Sequence, residues 1–300
     1  MEQNKVLFKG IMPALVSPID DDENVLEDSM RRLIRMHLSA GVTGFYLTGG
    51  TGEGCVLQPS TRMKLIETAK DEVGDKAKLI AHIGAIDLKT ATKLARHAAD
   101  TGMDAISSVP PFFFDYYEKE IGEYYKALSD ASGLPIIMYA SPAAGIEITY
   151  DMVKRYMEIP NMIGVKWTNY NYYTMHRMKE INGGNINIIN GPDECLLCGL
   201  SMGADGGIGS TYNVMPKVIV DIYNKFTAGD IKGAQAAQFK ANKLIDIIIK
   251  HDVVCSIKAL LADMGFDCGK QVYPQKRFDN DELEVFRKEV KALKFEEEYL

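Results

Sequence analysis

Short apolar runs alternate along this chain with longer segments in which apolar residues recur every three or four positions. The runs fall at residues 11–17, 44–48, 79–83, 105–109, 136–139, 163–166, 186–190 and, more weakly, 206–208. The segments between them have the spacing of helices packed on one face, as in Met30, Leu33, Ile34, His37 and Leu38, or Leu65, Ile66 and Ala69. Such alternation predicts parallel βα units. Several runs are apolar throughout, as strands covered on both faces must be.

Eight runs is the number for a closed parallel barrel, so the expected fold is α/β: a (β/α)8 or TIM barrel with additional C-terminal helices. A doubly wound sheet competes, but it calls for a glycine fingerprint after the first strand. Val16-Ser17-Pro18-Ile19-Asp20 stands there instead. Beyond the eighth run the pattern is helical only, at 217–227, 231–250, 256–264 and 279–294, the last with Asp279 as its cap. No Pro/Gly/Ser-rich linker sets this tail apart. The expected organisation is a catalytic barrel over residues 1–227 and a helical extension over 228–300 packed on it.

Composition narrows the partners. Of 300 residues, 46% are hydrophobic and 25% charged, the profile of an ordinary globular chain, and a net charge of -7 argues against a nucleic-acid surface. The start, Met1-Glu2-Gln3-Asn4-Lys5, precedes no secretory apolar core. The most apolar internal run, 244–249, is broken by Asp246 and too short for a bilayer. A cytoplasmic location is expected, with no membrane partner.

The five cysteines, Cys55, Cys195, Cys198, Cys255 and Cys268, are an odd number and do not form a disulfide framework. Cys195 and Cys198 have the spacing of a metal or redox pair but lack a second pair, so they read as helix-packed thiols. The five histidines show no zinc-ligand spacing. No metal is expected, and acid–base work falls to Tyr, Glu, Asp or Lys.

The reactive candidate is Lys166, the lone charge in the strand-like run Ile163-Gly164-Val165-Lys166-Trp167. An amine withdrawn from water loses its proton more readily and can attack a ketone or aldehyde to form an imine. A second apolar run, Ile136-Ile137-Met138-Tyr139, ends in a phenol. In a parallel barrel both would open on the same face. Taken singly, a strand-end lysine extends its head to solvent and a strand-end tyrosine packs as core with a wet hydroxyl. The other strand ends decide between these readings, because barrel chemistry sits on the loops at the carboxyl ends of the strands.

After the second run, Thr48-Gly49-Gly50-Thr51-Gly52-Glu53-Gly54 lies directly ahead of a helical segment. It lacks the spacing of a nucleotide loop and suits a small carboxylate held by backbone N–H groups and the Thr51 hydroxyl. After the seventh, Asn190-Gly191-Pro192-Asp193-Glu194 puts two carboxylates at a helix start. There they complement the helix dipole or accept from the hydroxyls of a polyol. After the eighth comes a glycine turn bearing Ser210, Thr211, Tyr212 and Asn213, without a lysine or arginine for phosphate.

Gly-Gly-Thr-Gly-Glu at 49–53, Tyr139 with Pro142 three residues on, Gly164-Val165-Lys166-x-Thr168, Asn190-Gly191-x-Asp193-Glu194 and the Gly206–Asn213 turn together resemble the N-acetylneuraminate lyase and dihydrodipicolinate synthase family. The match keeps its order from about residue 8 into the C-terminal helices. It is nearer the lyase branch: Ala143-Ala144-Gly145 stands where synthases carry an arginine. The resemblance implies a class I aldolase in which Lys166 forms an imine with the C2 ketone of N-acetylneuraminate and Tyr139 relays the C4 hydroxyl proton. N-acetylmannosamine and pyruvate would be released. Gly50 and Thr51 would hold the carboxylate, Thr168 and Gly191 would line the sugar path, and Asp193, Glu194 and Ser210 would bind its hydroxyls.

A homotetramer without cofactor is also implied. Departures fall at Gly50, Ala140-Ser141, Phe112-Phe113-Phe114 and Asn171. Another pyruvate-dependent aldolase or dehydratase of the family, or a keto-acid sensor without turnover, are the alternatives.

Overall fold

The predicted strands all form, and they form one sheet. In a computed structural model, which describes residues 5–300, β1 (Gly10–Pro13), β2 (Gly44–Leu47), β3 (Lys78–His82), β4 (Ala105–Ser108), β5 (Ile136–Ala140), β6 (Met162–Trp167), β7 (Asn187–Asn190) and β8 (Gly206–Gly209) pair in parallel from β2 through to β8, and β8 pairs with β1. Two backbone bonds close the remaining seam: Thr43 N donates to Ile11 O and Leu15 N to Tyr46 O, both at 2.9 Å. The chain is a (β/α)8 TIM barrel, and the doubly wound alternative falls. Met1 to Asn4, on which the leader reading partly rests, lie outside the described residues.

Helices α1 (Glu27–Ser39), α2 (Pro59–Val73), α3 (Leu88–Asp100), α4 (Glu118–Ser132), α5 (Tyr150–Tyr156), α6 (Tyr172–Lys179), α7 (Leu196–Ser201) and α8 (Pro216–Thr227) each follow the strand of the same number. Of the positions singled out by spacing, Met30, Leu33, Ile34 and His37 on α1 and Leu65, Ile66 and Ala69 on α2 are buried, and Leu38 is half-buried against the core. Alternate strand residues fill the barrel axis, where Met12, Tyr46, Ile80, Ile137, Ile163, Ile189 and Ile208 pack above Phe8. Each buried aliphatic side chain of this kind contributes about 1.5–3 kcal/mol. The interior is a packed core that opens only at the carboxyl ends of the strands.

Beyond the barrel run α9 (Ile231–His251), α10 (Val253–Asp263), α11 (Asn280–Ala292) and α12 (Phe295–Tyr299). The expected Asp279 cap is present as a capping box with Glu282. Most boundaries shift by a residue or two, and three shifts have a visible cause. The first strand stops at Pro13, because beyond Ala14 the chain leaves the ladder and Ser17 Oγ donates to Gly52 O at 2.6 Å. Helix α10 begins three residues early, its first turn held by the Asp252 carboxylate accepting from Cys255 N. Lys294, at φ +52, separates α12 from α11. Among the described residues no helix is long and apolar enough to cross a membrane.

Candidate active site

The β5–β6 register sets Tyr139 directly beside Lys166. Lys166 Nζ lies 3.9 Å from the centroid of the Tyr139 ring and 5.7 Å from that of Tyr46, and it donates to Thr168 Oγ1 at 3.1 Å. Lys166 is 5% exposed. Two aromatic faces and a hydroxyl surround the amine; among the described residues no carboxylate forms an ion pair with it. A residue this buried does not extend its head to open solvent along the surface, so the snorkelling alternative does not describe it.

Opposing effects act on the phenol of Tyr139. Burial alone would raise its pKa, but the charge of Lys166, with hydrogen bonds involving Lys166, Ser141 and Thr168, outweighs burial and holds it below the ordinary tyrosine value. A phenol whose ionised form is eased by a neighbouring amine is suited to take a proton, the service that imine chemistry asks of a base.

Sequence reasoning missed the floor of this site. Tyr46 and His82 both meet the Tyr139 ring edge-on, His82 and Tyr46 lying 6.0 and 6.1 Å from it between centroids. Tyr46 Oη donates to Ser107 Oγ at 3.0 Å. His82 Nδ1 sits 3.1 Å from Thr48 O and its Nε2 accepts from Val109 N at 3.3 Å, contacts that assign the proton to Nδ1. Burial pushes its pKa down to about 3, so the ring is neutral. Tyr46 and His82 sit in apolar strands, where an aromatic reads as core, and no spacing signal distinguishes them.

The glycine loop turns tightly, Glu53 N donating to Gly50 O and Gly54 N to Gly49 O. No hydrogen bond within the described protein takes up the amides of Gly50 or Thr51. The Thr51 hydroxyl lies 2.7 Å from Ser210 Oγ, joining the loop after β2 to that after β8. One expectation is corrected: α2 does not start until Pro59, so the loop's N–H groups act without a helix N-terminus behind them. A Cβ at Gly52 would stand 2.9 Å from Leu15 O and one at Gly54 1.8 Å from Thr48 O, whereas one at Gly50 would meet nothing within 4 Å.

Across the mouth, Gly191 leaves room for Thr168: a Cβ there would lie 2.1 Å from Thr168 Oγ1. Asp193 and Glu194 open a 3-10 turn, Asp193–Cys195, ahead of α7. Asp193 Oδ2 accepts from both Thr211 N and Thr211 Oγ1 at 2.7 Å, while burial raises the carboxyl to about 6 against these bonds. Glu194 takes a short hydrogen bond from Tyr170 Oη, which pushes that phenol up to about 12. Asn171, at a departure position, caps α6 by accepting from Thr174 N at 3.0 Å.

Thr168, Gly191, Asp193, Glu194 and Ser210 line one cavity of about 320 Å3. Lys166, Tyr139, Gly50 and Thr51 lie on the barrel side of that group, tied to it by the Lys166–Thr168 and Thr51–Ser210 contacts. A larger cavity of about 660 Å3 among Leu260, Arg287 and Phe295 holds none of these groups.

Residues 7–293 match the dihydrodipicolinate synthetase family. The N-acetylneuraminate lyase of Citrobacter koseri is 36% identical over 256 residues, 85% of this chain and 86% of that one. The CdNal structure from Clostridium difficile, in complex with mannosamine, is 32% identical and superposes with a TM-score of 0.90 over 95% of this chain and 99% of that one. The wild-type sialic acid aldolase of Ruminococcus gnavus is 28% identical, with a TM-score of 0.92 over 98% and 99%.

Proposed function

This chain belongs to the dihydrodipicolinate synthetase family, and on that premise we propose that it is a carbon–carbon lyase, a Schiff-base aldolase that cleaves N-acetylneuraminate to N-acetylmannosamine and pyruvate. The observation that carries the chemistry is the buried Lys166 amine against the Tyr139 phenol. The substrate is favoured by the similarity to lyases and sialic acid aldolases.

In this scheme the neutral Lys166 amine adds to the C2 ketone of the open-chain sugar acid, and loss of water gives an iminium. Electrons of the C3–C4 bond flow into the iminium while the Tyr139 phenolate takes the C4 hydroxyl proton, releasing the aldehyde. The enamine left on Lys166 is protonated at C3 and hydrolysed, giving pyruvate and the free amine. The amides of Gly50 and Thr51 with the Thr51 hydroxyl hold the carboxylate. Thr168 and Gly191 line the sugar path; Asp193, Glu194 and Ser210 accept from or donate to its hydroxyls. The scheme uses no metal or organic cofactor.

The resemblance further supports a homotetramer, to which exposed Phe113, Phe114 and Tyr117 offer apolar surface, and a cytoplasmic location is part of the proposal. The division into a catalytic barrel, 1–227, and an extension, 228–300, is part of the same proposal. The test is direct. Pyruvate plus borohydride should leave a reduced adduct on Lys166, and N-acetylneuraminate should yield both products over many turnovers. Turnover of other 2-keto sugar acids without N-acetylneuraminate would reassign the substrate. Adduct on any residue but Lys166 would overturn the mechanism.

A further inference from the structure

Glu53 ends the Gly-Gly-Thr-Gly-Glu turn, and its side chain points away from the mouth into the protein. Glu53 Oε2 lies 2.7 Å from Lys258 Nζ on α10, with the two side chains 0% and 3% exposed. Glu53 Oε1 accepts from Val272 N at 2.8 Å and from Gln275 Nε2 at 3.2 Å. Lys258 Nζ donates its next hydrogen bond to Lys270 O at 2.9 Å. Every one of these partners belongs to the C-terminal extension. The backbone they restrain is unusual: Glu53 and Thr48 both lie in the left-handed region, at φ +55 and +51. Non-glycine residues stay there only where the surroundings impose it.

The turn between those two residues contains Gly50 and Thr51, whose amides have no acceptor within the described protein. Amides that bind a carboxylate must be aimed before it arrives, because a loop ordered on binding spends affinity on its own ordering. The barrel side holds this turn by uncharged contacts, Ser17 to Gly52 O, Ser210 to Thr51 and, at its start, His82 to Thr48. The charged anchor comes from outside the barrel.

We infer that the buried Glu53–Lys258 pair is the positioning device for the carboxylate-binding turn, so that the C-terminal extension sets the affinity for the pyruvyl carboxylate without touching it. The inference rests on the imine role of Lys166 and adds to it: Glu53 and Lys258 act on recognition of the carboxylate, and Lys166 acts on the carbonyl. Oriented amides lose effect steeply when displaced by an ångström.

The experiment compares two ketones, pyruvate and acetone, which share a carbonyl and differ in the carboxylate. Reductive trapping on Lys166 is followed against concentration in the wild type, Lys258→Met, Lys258→Arg and Glu53→Gln. The inference expects Lys258→Met and Glu53→Gln to raise the pyruvate half-saturation about tenfold or more while the acetone rate stays within about twofold, with Lys258→Arg recovering part of the loss. Equal losses for both ketones would make the pair merely structural, and unchanged pyruvate affinity would remove the role altogether. If Lys258→Met does not fold, Glu53→Gln, which keeps the Oε1 acceptor, gives the same comparison. No pyruvate adduct on wild-type Lys166 would sink the aldolase reading itself, an outcome distinct from both of these.

Discussion

Lys166 and Lys258 are each the lone charge in an apolar stretch, and both are all but sealed from water, at 5% and 3% exposure. Their ammonium groups keep different company. Lys258 faces the carboxylate of Glu53 in an ion pair and donates to a backbone carbonyl. Lys166 faces two aromatic rings and one hydroxyl. A buried amine paired with a carboxylate serves architecture; one set against a phenol is placed to serve chemistry. Burial alone therefore does not mark a nucleophile. The partner does.

The contrast is sharpest in a pair of substitutions. Lys166→Met should abolish adduct formation and turnover while leaving the urea midpoint close to wild type, because it removes a buried amine that has no carboxylate to abandon. Lys258→Met should keep the adduct on Lys166, formed at higher pyruvate concentration, and lose stability instead. It strands Glu53 without its counter-ion at a cost of about 3–5 kcal/mol in equilibrium unfolding, and most of that should return in the double variant with Glu53→Gln. If Lys166→Met unfolds the protein and Lys258→Met is neutral, the two lysines have been assigned the wrong way round.

Tyr139→Phe comes next. It removes the proton relay and keeps the ring under Lys166, so kcat should fall about 10²–10⁴-fold with the aldehyde-releasing substrate. Trapping of pyruvate should survive, since imine formation itself leaves the C3–C4 bond alone. A variant with full kcat would pass the base role to another group.

The smallest effect is a titration. Tyr139 is held below the ordinary tyrosine value, whereas burial pushes Tyr46, Tyr125 and Tyr212 well above it. The first phenol to ionise in the barrel core on raising the pH should be Tyr139, identified by its loss from the ultraviolet difference spectrum in Tyr139→Phe. A depressed folded-state pKa contributes stability above the unfolded value and loses it as the pH falls through the folded one. In Lys166→Met the charge and its hydrogen bond are gone, leaving burial against the Ser141 and Thr168 hydrogen bonds alone, and the Tyr139 pKa should rise. Lys258→Met should leave that titration where it was.

The strands and the Lys166–Tyr139 pairing were legible because apolar runs, their order and their strand-end residues are local properties of sequence. The same signal that exposed Lys166, one amine in an apolar run, is also present at Lys258. It went unread there because its partner Glu53 lies far away in the chain and only the packed fold brings them together. Glu53 itself was inside a recognised motif, but nothing in the sequence tells whether its carboxylate turns toward the mouth or the interior. The distance from the glycine loop to α2 was misjudged for a related reason: turns of 310 type and left-handed residues such as Glu53 have no periodicity to read. Asn171, noted only as a departure, has a local purpose as the cap of α6.

The open space beside Gly50 makes that position the adjustable one in an otherwise rigid loop. Gly52 and Gly54 are fixed by backbone less than a van der Waals distance from any added carbon, so changes there are paid by the fold. At Gly50, a single-residue exchange to serine would put a hydroxyl beside the carboxylate turn at no steric cost. Gly50 is thus the position in this loop where the fold itself sets no steric bar to a side chain.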